Sequence, residues 1–181
     1  VKLLNAHPGK YNYASVGPGS SGHLTAELFK SMTNTSITHV AYRGGGPAIQ
    51  DLMGGQVEMA FFSASAVLPH IQAHKLQAIA QTGAKRAPAL AQVPTMAESG
   101  FPDFQVNSWV GLLAPAGTPK NIVDKMQSEV RKIVTEPAFV QRLQEQGVVP
   151  VANTPEQFTA QIKAEQAKWE RLVVERKLSF E

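Results

Sequence analysis

Apolar and polar positions recur along this chain with two different periods, and the changes of period mark its elements. Asn12-Tyr13-Ala14-Ser15-Val16 reads as a short strand after the turn at Pro8-Gly9-Lys10, and Gly17-Pro18-Gly19-Ser20-Ser21-Gly22 as a loop. Leu24, Leu28, Phe29 and Met32 then fall at helical spacing. Ile37 to Tyr42 alternates and is rich in β-formers, which predicts a second strand. Arg43-Gly44-Gly45-Gly46-Pro47 is a second glycine-rich loop. It feeds a helix through Ile49, Leu52 and Met53 that stops at Gly54-Gly55. Val57–Phe62 is predicted as a third strand, Ser63-Ala64-Ser65 as the opening of a helix to about His74, and Leu76–Thr82 as a fourth strand. The order β-α-β-α-β-α-β with short connections predicts an α/β fold with a parallel sheet covered by helices.

Beyond Thr82 the rhythm changes. Residues 84–103 read as loop with one helical turn at Thr95–Ser99, and Phe104–Ala114 as extended. Thr118 is the expected N-cap and Pro119 the first residue of a helix whose stripe is Ile122, Val123, Met126, Val130, Ile133 and Val134. A second helix is expected over Pro137–Gln146, stopped by Gly147, then a short strand over Val148–Val151. A long last helix starts at Thr154, with Phe158, Ile162, Trp169, Leu172 and Val173 on one face. Three amphipathic helices with almost no strand of their own need a surface to cover. The first sheet already has its crossover helices. The C-terminal helices are therefore expected to belong to a second sheet that is largely absent from this chain. Alternatively, two copies pair and each covers the other's apolar helix faces.

Composition narrows the classes. At 181 residues and 43% hydrophobic, the chain is of ordinary domain size and too apolar to be disordered. No run reaches the ~18 apolar residues of a membrane-spanning helix. With no Cys, a disulfide scaffold, a thiolate metal site and a cysteine nucleophile are excluded. Residues 1–100 carry seven Lys and Arg against four Asp and Glu, whereas residues 101–181 carry ten of each. A net charge of +3 without a basic cluster argues against nucleic acid and suits a small anion. Val1–Asn5 has no feature of a secretory leader, so either a cytoplasmic protein or a stretch of a longer chain is expected.

The candidate chemistry lies in the loops at the carboxyl ends of strands, where parallel α/β sheets bind ligands. Each loop opens a helix, whose first N–H groups suit an anion. Around Ser15, Gly17, Gly19, Ser20 and Ser21, hydroxyls add donors without adding charge. The plainer reading is a set of tight turns with Ser caps. Gly17 to Gly22 also fits G-x-G-x-x-G, but the acidic residue expected ~20 residues later falls near Tyr42 and Arg43. No G-x-x-x-x-G-K-S/T run occurs, so no nucleotide or other cofactor is expected. His23 near Ser20 makes a hydrolase-like pair conceivable, though no G-x-S-x-G elbow exists and a helix-start packing role is the simpler reading. His70 and His74 stand at i, i+4 with no third ligand, so no metal site is expected. His7 and His39 are single histidines. Glu27 and Asp51 read as surface groups or hydrogen-bond partners between elements, and Arg43 as a cation for an anionic ligand, for Asp51 or for solvent.

Asn12 through Leu24 resembles the pattern N-Y-A-S-x-G-x-G-S/T-x-x-H-L of the solute receptors of tripartite tricarboxylate transporters, also called Bug-type receptors. Val40–Gly44, Pro47-Ala48 and Asp51–Val57 resemble their V-P-Y-K/R-G, P-A and D-L-x-G-G-Q-V. Arg86, Val93–Gly100 and Trp109–Pro119 resemble R, V-P-T-x-x-E-x-G and W-x-G-x-x-A/V-P-x-G-T-P, in order and at family spacing. The resemblance implies a non-enzymatic periplasmic binding protein of two α/β lobes that closes on a small carboxylate and hands it to membrane transporter subunits. The acid would be a di- or tricarboxylate, an acidic amino acid or an aromatic acid. By motif, residues 10–105 would be the ligand-binding second lobe, 106–118 the crossover, and 119–181 helices returning to the first lobe. Most of that first lobe, with any signal peptide, would precede Val1. The implied ligand wall is Ser15, Gly17, Gly19, Ser20, Ser21 and His23, then Tyr42, Arg43, Gly44 and Ala48, then Ser63, Ala64 and Ser65. Trp109 would line the cleft or pack the hinge. Ser63-Ala64-Ser65 replaces a frequent acidic or amide pair, which favours a second anionic group or an aromatic ring at the ligand's far end. An α/β hydrolase-like or nucleotide-using enzyme built around Ser20 and His23 is the rival reading.

Overall fold

In the computed structural model, which describes residues 1–180, a short helix α1 (Lys2–Ala6) precedes a three-stranded parallel sheet. Strand β1 (Asn12–Ser15) is central, with β2 (Thr38–Ala41) on one side and β3 (Met59–Ala60) on the other. Tyr13 pairs with His39 and Met59, and Ala14 with Val40 and Ala60. Helices α2 (Ser21–Thr33) and α3 (Gly45–Met53) are the crossovers, and α4 (Ala64–Gln72) follows β3.

Alternation along β1 divides the core between the two faces of the sheet. Tyr13 is fully buried with Leu4, Ala26 and Ile37, against Phe29, Met59 and Phe61. Ala14 turns the other way and packs with Ala48 and Val57, against Val40, Tyr42 and Leu52. The chain runs from β1 to one neighbour and then crosses to the other. The order of strands therefore reverses at β1, and the crevice at its carboxyl end is where such sheets receive ligands.

The predicted fourth strand does not join the sheet. Of Leu76–Thr82, only Gln81 forms a bridge, a parallel one to Thr95, and Ile79 is 76% exposed. The backbone bonds of the run are taken by other loops. Gln81 N donates to Pro94 O and Met96 N to Gln81 O, both at 2.8 Å, while Val106 N donates to Thr82 O at 2.8 Å. The Gln81 side chain also donates to Leu90 O and Val93 O. The expected third strand is shorter than Val57–Phe62, and Val148–Val151 forms no strand. There, Val148 N closes onto Leu143 O, leaving Val149 and Val151 exposed. Helix α4 stops at Gln72, and His74 follows in the left-handed region.

The rest is helical: α5 (Lys120–Val134), α6 (Pro137–Glu145) and α7 (Pro155–Arg176). Thr118 does not cap α5. Its hydroxyl donates to Pro115 O, and Pro119 holds the cap position. Thr154 does cap α7, in a reciprocal box with Gln157. Helix α7 lies along the extended segment after Phe101: Trp169 packs with Met96, the fully buried Phe104 and Val106, and Trp109 Nε1 donates to Glu165 at 2.7 Å. Helices α5 and α6 bury no residue, and Ile122, Met126 and Ile133 stand open along α5.

Candidate ligand-binding site

Loop 15–21 is built by its own hydrogen bonds. Gly17, at φ 132°, and Gly19, at φ 72°, take backbone conformations that a side chain would strain. Ser20 Oγ donates to Gly17 O at 2.7 Å, and as N-cap of α2 it accepts from His23 N. Among the described residues, no acceptor meets the N–H groups of Ser21 and Gly22 in the first turn of α2. Ser21 is exposed and Ser20 half-buried. Unpaired N–H groups at a helix start and two hydroxyls form a donor surface for an anion.

Under this surface, Ser15 and His23 are buried. Ser15 Oγ bonds His39 Nε2 at 2.6 Å, accepts from Gly17 N at 3.1 Å, and lies 3.1 Å from Gly17 O. Its hydroxyl therefore shapes the loop from below. His23 Nδ1 accepts from Gly19 N at 3.0 Å, which puts the proton of the neutral ring on Nε2. Ser20 Oγ bonds Gly17 O and not an imidazole, so the hydrolase-like Ser20–His23 pair is not assembled.

The second loop lies beside the first. Tyr42 N donates to Ser15 O at 3.0 Å, and a Cβ on Gly45 would sit 3.9 Å from Val16. The Tyr42 hydroxyl donates to Asp51 Oδ2 at 2.8 Å, fixing the loop to α3. That bond raises the Tyr42 hydroxyl above its ordinary range. Asp51 is thus taken by Tyr42, and exposed Arg43 makes no ion pair among the described residues. Gly44, at φ 112°, is the N-cap of α3. Ala48 is turned into the core against Ala14 and Val57, away from the surface.

Across the switch point, Ser63 holds the N-cap position of α4 without a side-chain capping bond, and its hydroxyl and that of Ser65 lie 3.5 Å apart, both exposed. Ala64 faces the end of α6, where a Cβ on Gly147 would be 2.9 Å from its methyl. Trp109 stacks edge-on against Phe158 at 5.0 Å, far along the chain from the loops.

Sequence reasoning missed the ring column that carries loop 15–21. Tyr13 and His39 stack at 4.9 Å, and His39 and His23 at 4.1 Å with planes 8° apart. Phe180 meets His23 edge-on at 5.8 Å. The available signal was register: pairing Asn12–Ser15 with Thr38–Ala41 places His39 beside Tyr13. Glu27, buried behind the column, accepts from Tyr13 Oη at 2.9 Å and Lys30 Nζ at 2.6 Å. Burial alone would raise its carboxyl, but these bonds outweigh burial and hold it below the ordinary range. Burial and the bond to Glu27 push the Tyr13 hydroxyl well above its ordinary value.

The chain as a whole is similar to known proteins. The family model "Tripartite tricarboxylate transporter family receptor" matches residues 1–178. A UPF0065 protein of a Pseudomonas species is 36% identical over 180 residues, covering 99% of this chain and 54% of the relative. Protein BugT of Bordetella pertussis is 36% identical over 175 residues, covering 97% and 54%. The chain thus spans about half the length of these relatives. Among solved structures, an R. palustris protein with adipate superposes with a TM-score of 0.88 at 34% identity, covering 95% of this chain and 57% of that one. The periplasmic binding protein BugD gives 0.82 at 31%, covering 96% and 59%. MatC from Rhodopseudomonas palustris with bound malate gives 0.81 at 30%, covering 95% and 60%. The parallel-sheet fold is that of periplasmic binding proteins, and the chain belongs to the tripartite tricarboxylate transporter receptor family.

Proposed function

We propose that this chain is the ligand lobe of a periplasmic solute-binding receptor. It captures a small carboxylate for the membrane subunits of a tripartite tricarboxylate transporter and catalyses nothing. Residues 10–105 form the lobe, 106–118 the crossover, and 119–181 helices that pack on the other lobe. The observation that carries the reading is the donor surface at the switch point: the unpaired N–H of exposed Ser21 beside the hydroxyls of Ser20 and Ser21. One carboxylate sits there. Gly17 and Gly19 bring the backbone close, and Ser15 and His23 hold the loop from beneath. Tyr42, Arg43 and Gly44 form the second wall, with Ala48 behind it, and Ser63 to Ser65 the third. The neutral hydroxyls of Ser63 and Ser65 suit a second anionic group or an aromatic ring. Adipate and malate in the two structural neighbours are small carboxylates of this kind. The unassembled Ser20–His23 pair speaks against the hydrolase-like alternative.

Isothermal titration of the 181-residue chain with adipate, malate and a panel of mono- and dicarboxylates tests the reading. Saturable heat that Ser20→Ala weakens is expected, with no turnover of an activated ester. Silence across the panel together with ester turnover lost in Ser20→Ala would overturn it.

A further inference from the structure

Loop 15–21 touches the two stacked imidazoles through one atom of each. His23 Nδ1 takes the Gly19 N–H at 3.0 Å. His39 Nε2 bonds Ser15 Oγ at 2.6 Å, and that oxygen takes the Gly17 N–H at 3.1 Å. The two glycines whose conformations define the loop therefore both hang from the histidine pair. We propose that His23 and His39 are positioning residues that hold the loop in its binding form as a neutral stacked pair, and that protonating the pair releases the loop.

The chemistry follows from the contacts. A proton on His23 Nδ1 would set two donors, that N–H and the Gly19 N–H, against each other. A second proton, on His39, would place like charges face to face at a ring separation of 4.1 Å. The neighbours do not cancel this. From α2, Glu27 faces the column with one negative charge, but that charge already serves Lys30 at 2.6 Å and the Tyr13 hydroxyl of β1 at 2.9 Å. Arg176 of α7 lies 3.9 Å from the same carboxylate. Among the described residues, two cations and one carboxylate flank the column, a net positive charge. Phe180 covers the outer edge of His23 without charge. Burial lowers both imidazoles, Lys30 adds to this, and Glu27 only partly opposes it. The held loop is thus the form above the ordinary imidazole range, and it is lost as pH falls below that range.

The test uses two substitutions that keep the bonds and remove the titration. In His23→Asn the amide oxygen stands in for Nδ1, and in His39→Gln the amide stands in for Nε2. Amide NMR of the ligand-free 181-residue chain should show Gly17 and Gly19 moving together between pH 7.5 and 5, with a midpoint below that of an ordinary imidazole. The same signals should stay flat in the double variant, whereas His23→Ala should give the released-loop shifts already at pH 7.5. Should the double variant not fold, imidazole ¹⁵N titration of the native chain decides, with two unequal midpoints expected. Glycine signals flat in the native chain, signals moving equally in the folded double variant, or two independent midpoints at the ordinary value would overturn the proposal. A ligand arm rests on the receptor reading. The adipate Kd should rise about tenfold per pH unit below the midpoint, beyond the rise in the double variant, which reports the acid's own protonation. If adipate and the carboxylate panel fail to bind at any pH while the glycines titrate, the receptor reading falls and the histidine pair stands. If carboxylates bind and the glycines stay flat, the reverse holds.

Discussion

Gly22 has no room for a side chain, because a Cβ there would lie 2.6 Å from the carbonyl oxygen of Phe61. The start of α2 rests at that point on the chain just after β3. Gly22→Ala must push α2 off the sheet and should cost about 1–3 kcal/mol, read as a lower urea midpoint. An unchanged midpoint would mean that the two elements are not in contact. Glu27 sets a second residue-scale expectation. Glu27→Gln removes the charge that Lys30 and Tyr13 share, and should cost about 2 kcal/mol at pH 7. The sign of its pH dependence is fixed. A carboxyl held low in the folded protein stabilises it above the unfolded pKa of about 4.3 and stops doing so as pH falls through the folded value. The stability gap between native and variant chains should therefore close as pH falls below about 4.3, and a constant gap would refute this role. The sequence left Glu27 as either a surface group or a hydrogen-bond partner between elements, and His39 as a single histidine, with nothing to link the two. What joins them is strand register, and a single chain displays register only once its strands are paired.

Elements were legible where the sequence carried both a period and a punctuation mark. Strands β1 and β2, with the glycine-rich loops after them, stand where alternation and glycine place them. Leu76–Thr82 reads as a strand too, yet its backbone pairs with residues 94–96 and 106 instead of the sheet. The competing partners lie up to two dozen residues downstream in a segment with no period of its own, so nothing local could expose them. Helix α7 shows how such a partner is held. Its capping box fixes the start, and Phe158 then fills the space over Gly111, where a Cβ would stand 2.3 Å from the ring. Further on, Lys168 donates to Gln105 O, and Leu172 is buried. Gly111→Ala should lift Phe158 and with it the edge-on contact to Trp109. The expected results are a shift in Trp109 fluorescence towards that of a solvated indole and a loss of about 1–3 kcal/mol in urea unfolding. An unshifted spectrum with unchanged stability would show that α7 does not dock on residues 104–111.

At the scale of the whole molecule, the chain presents a closed core and an open face at once. The two faces of the sheet are filled, but α5 turns Ile122, Met126 and Ile133 outward at 49%, 55% and 51% exposure. In the extended segment before it, Val110, Leu112 and Leu113 are bare as well. Spacings of four and seven put the three α5 residues on one stripe, and a stripe of this kind on a folded chain marks a surface that another body covers. Because these side chains contribute little to the fold of the isolated chain, charging them should cost little stability. The triple variant Ile122→Lys, Met126→Lys, Ile133→Lys is expected to unfold within about 0.5 kcal/mol of the native chain, with its carboxylate titration unaltered. It should bind much less of an apolar-surface dye, and any dimer that light scattering finds in the native chain should dissociate. Three lysines that unfold the chain would instead show that the stripe packs on the chain itself. Weak dye binding by a native monomer would show that nothing is needed to cover it, and would remove the physical reason for assigning residues 119–181 to a second lobe.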